Sequence, residues 1–387
     1  MNVLITGGAG FIGSHLARRL ISEDCTVTIL DNMSPQIHGQ SIINSEQEVA
    51  ERILNTTEYP SEKLKVLIGD VRNKLAFTQA LEKQEVVVHL AAETGTGQSM
   101  YEVERYEDTN LKGTAILMDY LVNDKSSRVR KLVVASSRAI YGEGKYSCQV
   151  CGIVYPETRH SMDMKAGRFE PYCPICHGSC CPLPTDENSA LHPSSFYGLC
   201  KQVQEQMTLL FAQTLGISGF ALRYQNVYGP GQSLKNPYTG ILAIFSNQAR
   251  MNQMINIFED GKESRDFVYI DDVVEATWRV IYPEVEGVAA INVGSGERTT
   301  VYEVVQEIIQ FFDSNSPISI TGAFRKGDIR HNVADLSKLK SITDFEPTWK
   351  FRHGIREFLM WAESQNIIID KYEKSIKEMR QKGLMHG

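Results

Sequence analysis

No stretch of this chain approaches the roughly 18 consecutive apolar residues that suggest a membrane span. No run of Lys or Arg offsets the formal net charge of −7, which argues against wholesale nucleic-acid binding. An anionic ligand would therefore need a local basic pocket. Neither a charged region nor an apolar run precedes the first expected strand, Asn2-Val-Leu-Ile-Thr6, so a signal peptide is not expected. Internal repeats and low-complexity tracts are also missing. The eight cysteines fit a secreted disulfide protein poorly and a reducing cytoplasm well, provided that some bind metal.

What is present suits a cytoplasmic α/β protein. With 387 residues, 42% hydrophobic and 22% charged, the chain can build two domains around sizeable cores. Strands are expected at Asn2–Thr6, Thr26–Asp31, Leu64–Gly69, Val86–Ala91, Lys131–Ala135 and Gly219–Arg223. Most lack polar alternation, as strands buried on both faces of a parallel sheet do. Helices fit between them at Phe11–Ile21, Leu75–Gln84, Thr109–Asn123 and Ser195–Leu215. The pattern is a doubly wound parallel sheet of the Rossmann kind.

Three stretches break the rhythm. Met33–Glu62 is a long polar connection with one expected helix near Gln47–Leu54. Glu143–Asn188 holds six of the eight cysteines and reads as an inserted module. Beyond about Gly229 the spacing is irregular, with loops near Gly231–Thr239 and Phe324–Asn332 and a charged, helix-prone tail from Ile367. The expected organisation is a nucleotide-binding domain over residues 1–228, carrying the insert 143–188, and a smaller α/β substrate domain over 229–387, with segments interleaved at the boundary.

Gly7-Gly-Ala-Gly10-Phe-Ile-Gly13 lies between a strand and a helix. Gly7 permits a tight turn, Gly10 lets backbone approach a pyrophosphate, and Gly13 allows close helix packing. Asp31 follows Gly13 by 18 residues, at a strand end, where a carboxylate can accept ribose hydroxyls and favour NAD over NADP. Arg18 and Arg19 could mark a 2′-phosphate or a solvated helix face. Asp70-Val71 lies where an adenine would stack, although Asp70 could equally cap its strand.

Tyr197 and Lys201 stand four apart and share a helix face. An ammonium beside a phenol lowers its pKa, so Tyr197 could take a proton from a substrate hydroxyl while hydride leaves for NAD. Ser137 would hydrogen-bond the same oxygen. With the glycine turn and Ser136-Ser137 upstream, these residues resemble the extended short-chain dehydrogenase/reductases, in particular the nucleotide-sugar epimerases and dehydratases. Matching segments include His89-Leu-Ala-Ala92, Ser136-Ser137-Arg-Ala-Ile-Tyr141-Gly142, Leu222-Arg-Tyr-Gln-Asn226-Val-Tyr-Gly229-Pro230 and Arg265-Asp-Phe-Val-Tyr-Ile-Asp271-Asp272.

The resemblance implies NAD held by Gly7, Gly10, Phe11, Ile12 and Gly13, and by Asp31, Asn32, Asp70 and Val71. It extends that set to Leu90, Ala91, Ala92 and Asn110, with Tyr197 and Lys201 at the nicotinamide end. It implies a nucleoside-diphosphate sugar as substrate, met by Ser99 or its loop, Ser137, Asn226, Arg265 and Arg325, and a homodimer formed through helices of the NAD domain. One departure decides the subclass. Members that eliminate water carry Asp-Glu directly after the residue matching Ser137, whereas this chain has Arg138-Ala139. Alanine cannot transfer a proton, so dehydration is not expected and epimerisation at C4 through a 4-keto sugar is. Cys200 replaces a serine common in the family.

Cys148-Gln-Val-Cys151 and Cys173-Pro-Ile-Cys176, 21 residues apart, have the spacing of a tetrahedral zinc site. Iron–sulfur ligation is geometrically open, and His177, Cys180 or Cys181 could displace an assigned ligand. Four thiolates would fill the shell and leave no open position for catalysis, so the zinc is expected to be structural. Arg159, His160 or Arg168 of this insert are expected to face the ligand. With Pro35-Gln-Ile-His-Gly39 and Ala92-Glu-Thr-Gly-Thr-Gly-Gln98-Ser99-Met-Tyr101, the insert looks most like that of dTDP-L-rhamnose 4-epimerases, which interconvert the rhamnose and 6-deoxy-L-talose sugars. Alternatives are a nucleotide-sugar dehydratase, reductase or decarboxylase, or a non-catalytic NAD sensor whose zinc module binds a partner.

Overall fold

Val3, Leu4 and Ile5 are wholly buried, with a parallel strand hydrogen-bonded on each side. They sit in the interior of the sheet in a computed structural model that describes residues 1–39, 45–54, 62–234, 240–366 and 372–387. The sheet comprises β1 (Asn2–Thr6), β2 (Thr26–Asp31), β3 (Leu64–Ile68), β4 (Val86–His89), β5 (Lys131–Ser137), β6 (Ser218–Tyr224) and β7 (Val288–Val293). All are parallel, in the order β7-β6-β5-β4-β1-β2-β3. The order reverses between β1 and β4, and ligands of doubly wound sheets bind beyond the strand ends at such a point.

Six strands lie where the apolar runs place them, within one or two residues. The seventh, β7, was not anticipated. It pairs with β6 along Val288–Val293, so the chain returns to the main sheet well after Gly229. The helix expected over Thr109–Asn123 divides into a π-helical stretch, Glu107–Lys112, and an α-helix, Gly113–Asn123. Part of the Gly231–Thr239 loop, of the Met33–Glu62 connection and of the tail from Ile367 lies outside the described residues.

The cysteine-rich insert forms its own antiparallel sheet, Gly152–Val154, Tyr146–Cys148 and Cys180–Pro182, with a short helix at Ser161–Lys165. Beyond β6, Asn226–Tyr228 pairs with Phe267–Tyr269, and Phe324–Arg325 pairs with Met385–His386 at the C-terminus. Tyr228, Phe267, Tyr269 and Phe351 stack edge-on or tilted to form an aromatic core there. Among the described residues, no helix is long and apolar enough to cross a membrane.

Candidate active site

The glycine turn is built where side chains would not fit. Gly7 has φ +67°, and a Cβ there would lie 2.9 Å from the Ala91 nitrogen. A Cβ on Gly13 would lie 2.5 Å from the Gly7 carbonyl oxygen. At Gly10 a Cβ would meet only that same oxygen, at 3.2 Å, so among the described residues its other side is clear. Gly10 supplies no side-chain cap to the helix Phe11–Ser22, which leaves first-turn amides at Phe11 and Ile12 as donors for a phosphate. The cradle fits a dinucleotide diphosphate. A cavity of about 420 Å³ borders it and is lined by Ala9, Gly10, Phe11, Arg18, Gln232 and Trp361 among others.

Asp31 is buried at the end of β2 and aimed by backbone. Its carboxylate accepts from the N–H groups of Ala9 at 3.0 Å and Met33 at 2.9 Å. Asp70 is held by Asn32 Nδ2 at 3.0 Å and by the fork of Arg72 at 2.9 and 2.8 Å. Burial would raise its pKa, but the Arg72 and Asn32 hydrogen bonds outweigh it and hold the carboxyl at about 2. Val71 is buried against Gly113. Leu90, Ala91 and Ala92 follow β4, where Ala91 N–H donates to the Thr6 hydroxyl at 3.2 Å. Asn110 is fully buried, and its amide both accepts from Glu93 N–H, at 2.8 Å, and donates to the Glu93 carbonyl, at 3.2 Å. It holds the loop after β4.

Ser137, Tyr197 and Lys201 come together through one close approach. Ser137 ends β5 and caps the turn Arg138–Tyr141 by accepting from Ala139 N–H at 3.1 Å. The helix Phe196–Leu215 starts at Ser195, which caps Gly198 N–H at 3.1 Å. Gly198 lies so close to the Arg138–Tyr141 turn that a Cβ would sit 2.6 Å from the Ala139 carbonyl oxygen. Ser99 accepts from Tyr197 N–H at 3.0 Å and donates to the Thr96 carbonyl at 2.7 Å. Its hydroxyl thereby ties the start of the helix Phe196–Leu215 to the loop after β4.

The electrostatics differ from expectation. Burial raises the Tyr197 pKa, with the Ser137 hydroxyl and the Arg138 cation opposing it. Lys201 lies 5.9 Å from the Tyr197 ring centre and donates to the Ala135 carbonyl at 3.0 Å. Burial lowers its pKa to about 8. Arg138, noted in the sequence only as the absence of an acid, is a cation beside Tyr197. Burial, then repulsion from Arg265, lowers its pKa to about 9. Its place directly after Ser137 was the available signal.

Arg138 Nη1, Arg325 Nε and Asn226 Oδ1 are buried and have no hydrogen-bond partner among the described residues. Arg325 lies over the Phe258 ring at 5.0 Å, and Arg265 is tied to Asp328 at 3.0 Å. A diphosphate and a hydroxyl-rich sugar offer the oxygens and protons these atoms lack.

In the insert, the Sγ atoms of Cys148, Cys151, Cys173 and Cys176 all lie within 4.8 Å of one another. Backbone N–H groups of Cys176 and Ile175 lower the Cys173 thiol from its ordinary range, while burial and the neighbouring thiols raise Cys151. Cys180 points elsewhere and donates to the Pro171 carbonyl at 3.3 Å, while Cys181 is exposed. Arg159, expected to face the ligand, is instead sealed in ion pairs with Glu143 and Glu259. Arg168 is exposed on Asp163, and His160 is also exposed.

The sequence profile of the NAD dependent epimerase/dehydratase family matches residues 3–161 and 176–294. The chain belongs to that family. The unmatched residues between those segments, 162–175, fall inside the cysteine-rich insert and include Cys173. The chain is 36% identical over 365 residues to a dTDP-L-rhamnose 4-epimerase of Burkholderia thailandensis, covering 94% of this chain and 95% of that protein. It superposes on the UDP-N-acetylglucosamine 4-epimerase of Methanobrevibacter ruminantium bound to UDP-N-acetylmuramic acid, with TM-score 0.72 and 28% identity over 94% and 99% of the two chains. It likewise matches MoeE5 in complex with UDP-glucuronic acid and NAD, with TM-score 0.71, 25% identity and the same coverage.

Proposed function

We propose that this family member is an NAD-dependent nucleotide-sugar 4-epimerase whose substrate pair is dTDP-L-rhamnose and its 6-deoxy-L-talose epimer. The observation that carries this is the approach of Tyr197 to Ser137 beside the glycine turn, with Arg138-Ala139 where dehydratases place their acids. Bound NAD would accept the C4 hydride and return it to the opposite face of the sugar. Tyr197 Oη takes the C4 hydroxyl proton while Ser137 Oγ hydrogen-bonds the same oxygen. The 4-keto sugar turns over, and Tyr197 gives the proton back on the other side. Lys201, buried beneath the tyrosine, orients the nicotinamide end.

Phe11 and Ile12 amides would hold the cofactor diphosphate, and Asp31 the adenosine ribose. Asn226, Arg265 and Arg325 would receive the sugar nucleotide. The four clustered cysteines would bind zinc through a complete ligand set, so the metal would stabilise the insert and take no part in the chemistry. Reduced thiols at that centre fit a cytoplasmic enzyme, and a homodimer is the expected assembly. Mass spectrometry of the purified protein tests the cofactor assignments: retained NAD and zinc are expected. Tyr197→Phe should keep both and lose turnover; full turnover in that variant would remove Tyr197 from its role.

A further inference from the structure

The loop joining the two Cys-x-x-Cys pairs, residues 152–172, docks against the segments that carry Arg265 and Arg325. Arg159 spends all five of its N–H donors on protein acceptors, three of them on Glu259 and Asp328 beyond the insert. Nε donates to Glu143 Oε1 at 3.0 Å. Nη1 donates to the Phe169 carbonyl at 2.9 Å and to Glu259 Oε2 at 2.8 Å. Nη2 donates to Glu259 Oε1 at 2.8 Å and to the Asp328 carbonyl at 2.9 Å. A second buried arginine, Arg330, answers from the other side. Its side chain pairs with Glu170 of the loop, at 2.6 Å, and with Glu259, at 3.0 Å. Its backbone N–H donates to Glu143 at 2.8 Å. Met164 and Phe169 of the loop pack on Phe324.

Two of these contacts lie next to an arginine expected at the diphosphate. Asp328, whose carbonyl Arg159 holds, accepts from Arg265 Nη2 through its carboxylate at 3.0 Å. Phe324, on which the loop packs, directly precedes Arg325. We infer that Arg159 is a positioning residue: acting through the inter-knuckle loop, it sets the placement of Arg265 and Arg325 for a nucleoside diphosphate. The inference rests on the nucleotide-sugar function proposed above. It gives the cysteine module a task in substrate affinity. A metal bound by Cys151 and Cys173 would fix both ends of the loop and so brace the grip.

A bidentate arginine–phosphate contact tolerates little displacement. Lysine at position 159 keeps the charge but cannot hold Glu143, Glu259 and the Asp328 carbonyl together. The test is calorimetric titration of the full chain with dTDP and with UDP, alongside steady-state kinetics and NAD content. Arg159→Lys should weaken binding of the preferred nucleotide about tenfold. It should raise KM with kcat and bound NAD unchanged. Phe169→Ala, which keeps every charge of the network, should shift affinity in the same direction and decides the matter if Arg159→Lys does not fold. Adding Arg159→Lys to Arg265→Lys should cost little more than Arg265→Lys alone, because both act on one contact. Folded variants that bind as tightly as wild type, or that lose kcat at unchanged affinity, overturn the inference alone. A wild-type protein that binds neither nucleotide overturns the proposed function and this inference with it.

Discussion

Gly198 and Ala139 touch backbone to backbone: a Cβ on Gly198 would lie 2.6 Å from the Ala139 carbonyl oxygen. That contact seats the helix Phe196–Leu215 on the turn after Ser137 and brings Tyr197 to it. Gly198→Ala should push the helix outward. A displacement near 1 Å at reacting groups costs about 100-fold in rate. Turnover should fall by that order while NAD remains bound, and unchanged kcat would show that the helix can shift without moving Tyr197.

Arg138 opposes the burial that raises the Tyr197 pKa. Arg138→Met should therefore move the rising limb of the kcat–pH profile to higher pH, since the phenolate becomes harder to form. Tyr197→Phe should lose about 10²–10⁴-fold in turnover across the whole profile. A profile that stays in place in Arg138→Met would mean that another cation sets the tyrosine.

Lys201 has its pKa lowered to about 8 by burial, from the ordinary 10.5. Between those two values the unfolded chain holds a proton that the folded chain has released, so this lysine makes stability rise with pH over that window. Below pH 8 both states are protonated and the burial penalty is present in full. Lys201→Met removes the titration. The stability of the variant relative to wild type, from urea melts, should be greatest near pH 7 and should decline towards pH 10.5. A difference that is flat with pH would contradict the lowered lysine. The variant should also lose turnover.

The four thiols of Cys148, Cys151, Cys173 and Cys176 form the only cluster of metal-ligating side chains found among the described residues. Purified protein should contain a single zinc per chain. Cys176→Ser should lose zinc and expose the insert to protease, yet keep its NAD, because the glycine turn and Asp31 lie in a different part of the fold. Loss of NAD together with zinc would show that the module supports the cofactor domain as well.

Much of this was legible from short-range pattern. β1 to β6 read as strands because their apolar runs end at glycines or polar caps, and the cysteine spacing alone picked out the four thiols that lie together. β7 was missed because its short run, Val288-Ala-Ala-Ile-Asn-Val293, carries Asn292 at a position where a buried strand is normally apolar. Asn292 is fully buried and satisfied by Tyr141, Thr185 and Asp335, partners far away in sequence. The same distance hid the task of Arg159, whose partners Glu259 and Asp328 lie 100 and 169 residues away. Spacing reveals a ligand set or a helix face, but a buried ion network has no period.

The most direct measurement is proton NMR of dTDP-L-rhamnose incubated with the purified protein, with no added cofactor. The signals of the C4 epimer should grow to a stable mixture, with no dehydrated product and no net accumulation of NADH. A sugar that stays unchanged at C4, for this and for the UDP-linked sugars, or one that loses water or is reduced, would contradict the epimerase.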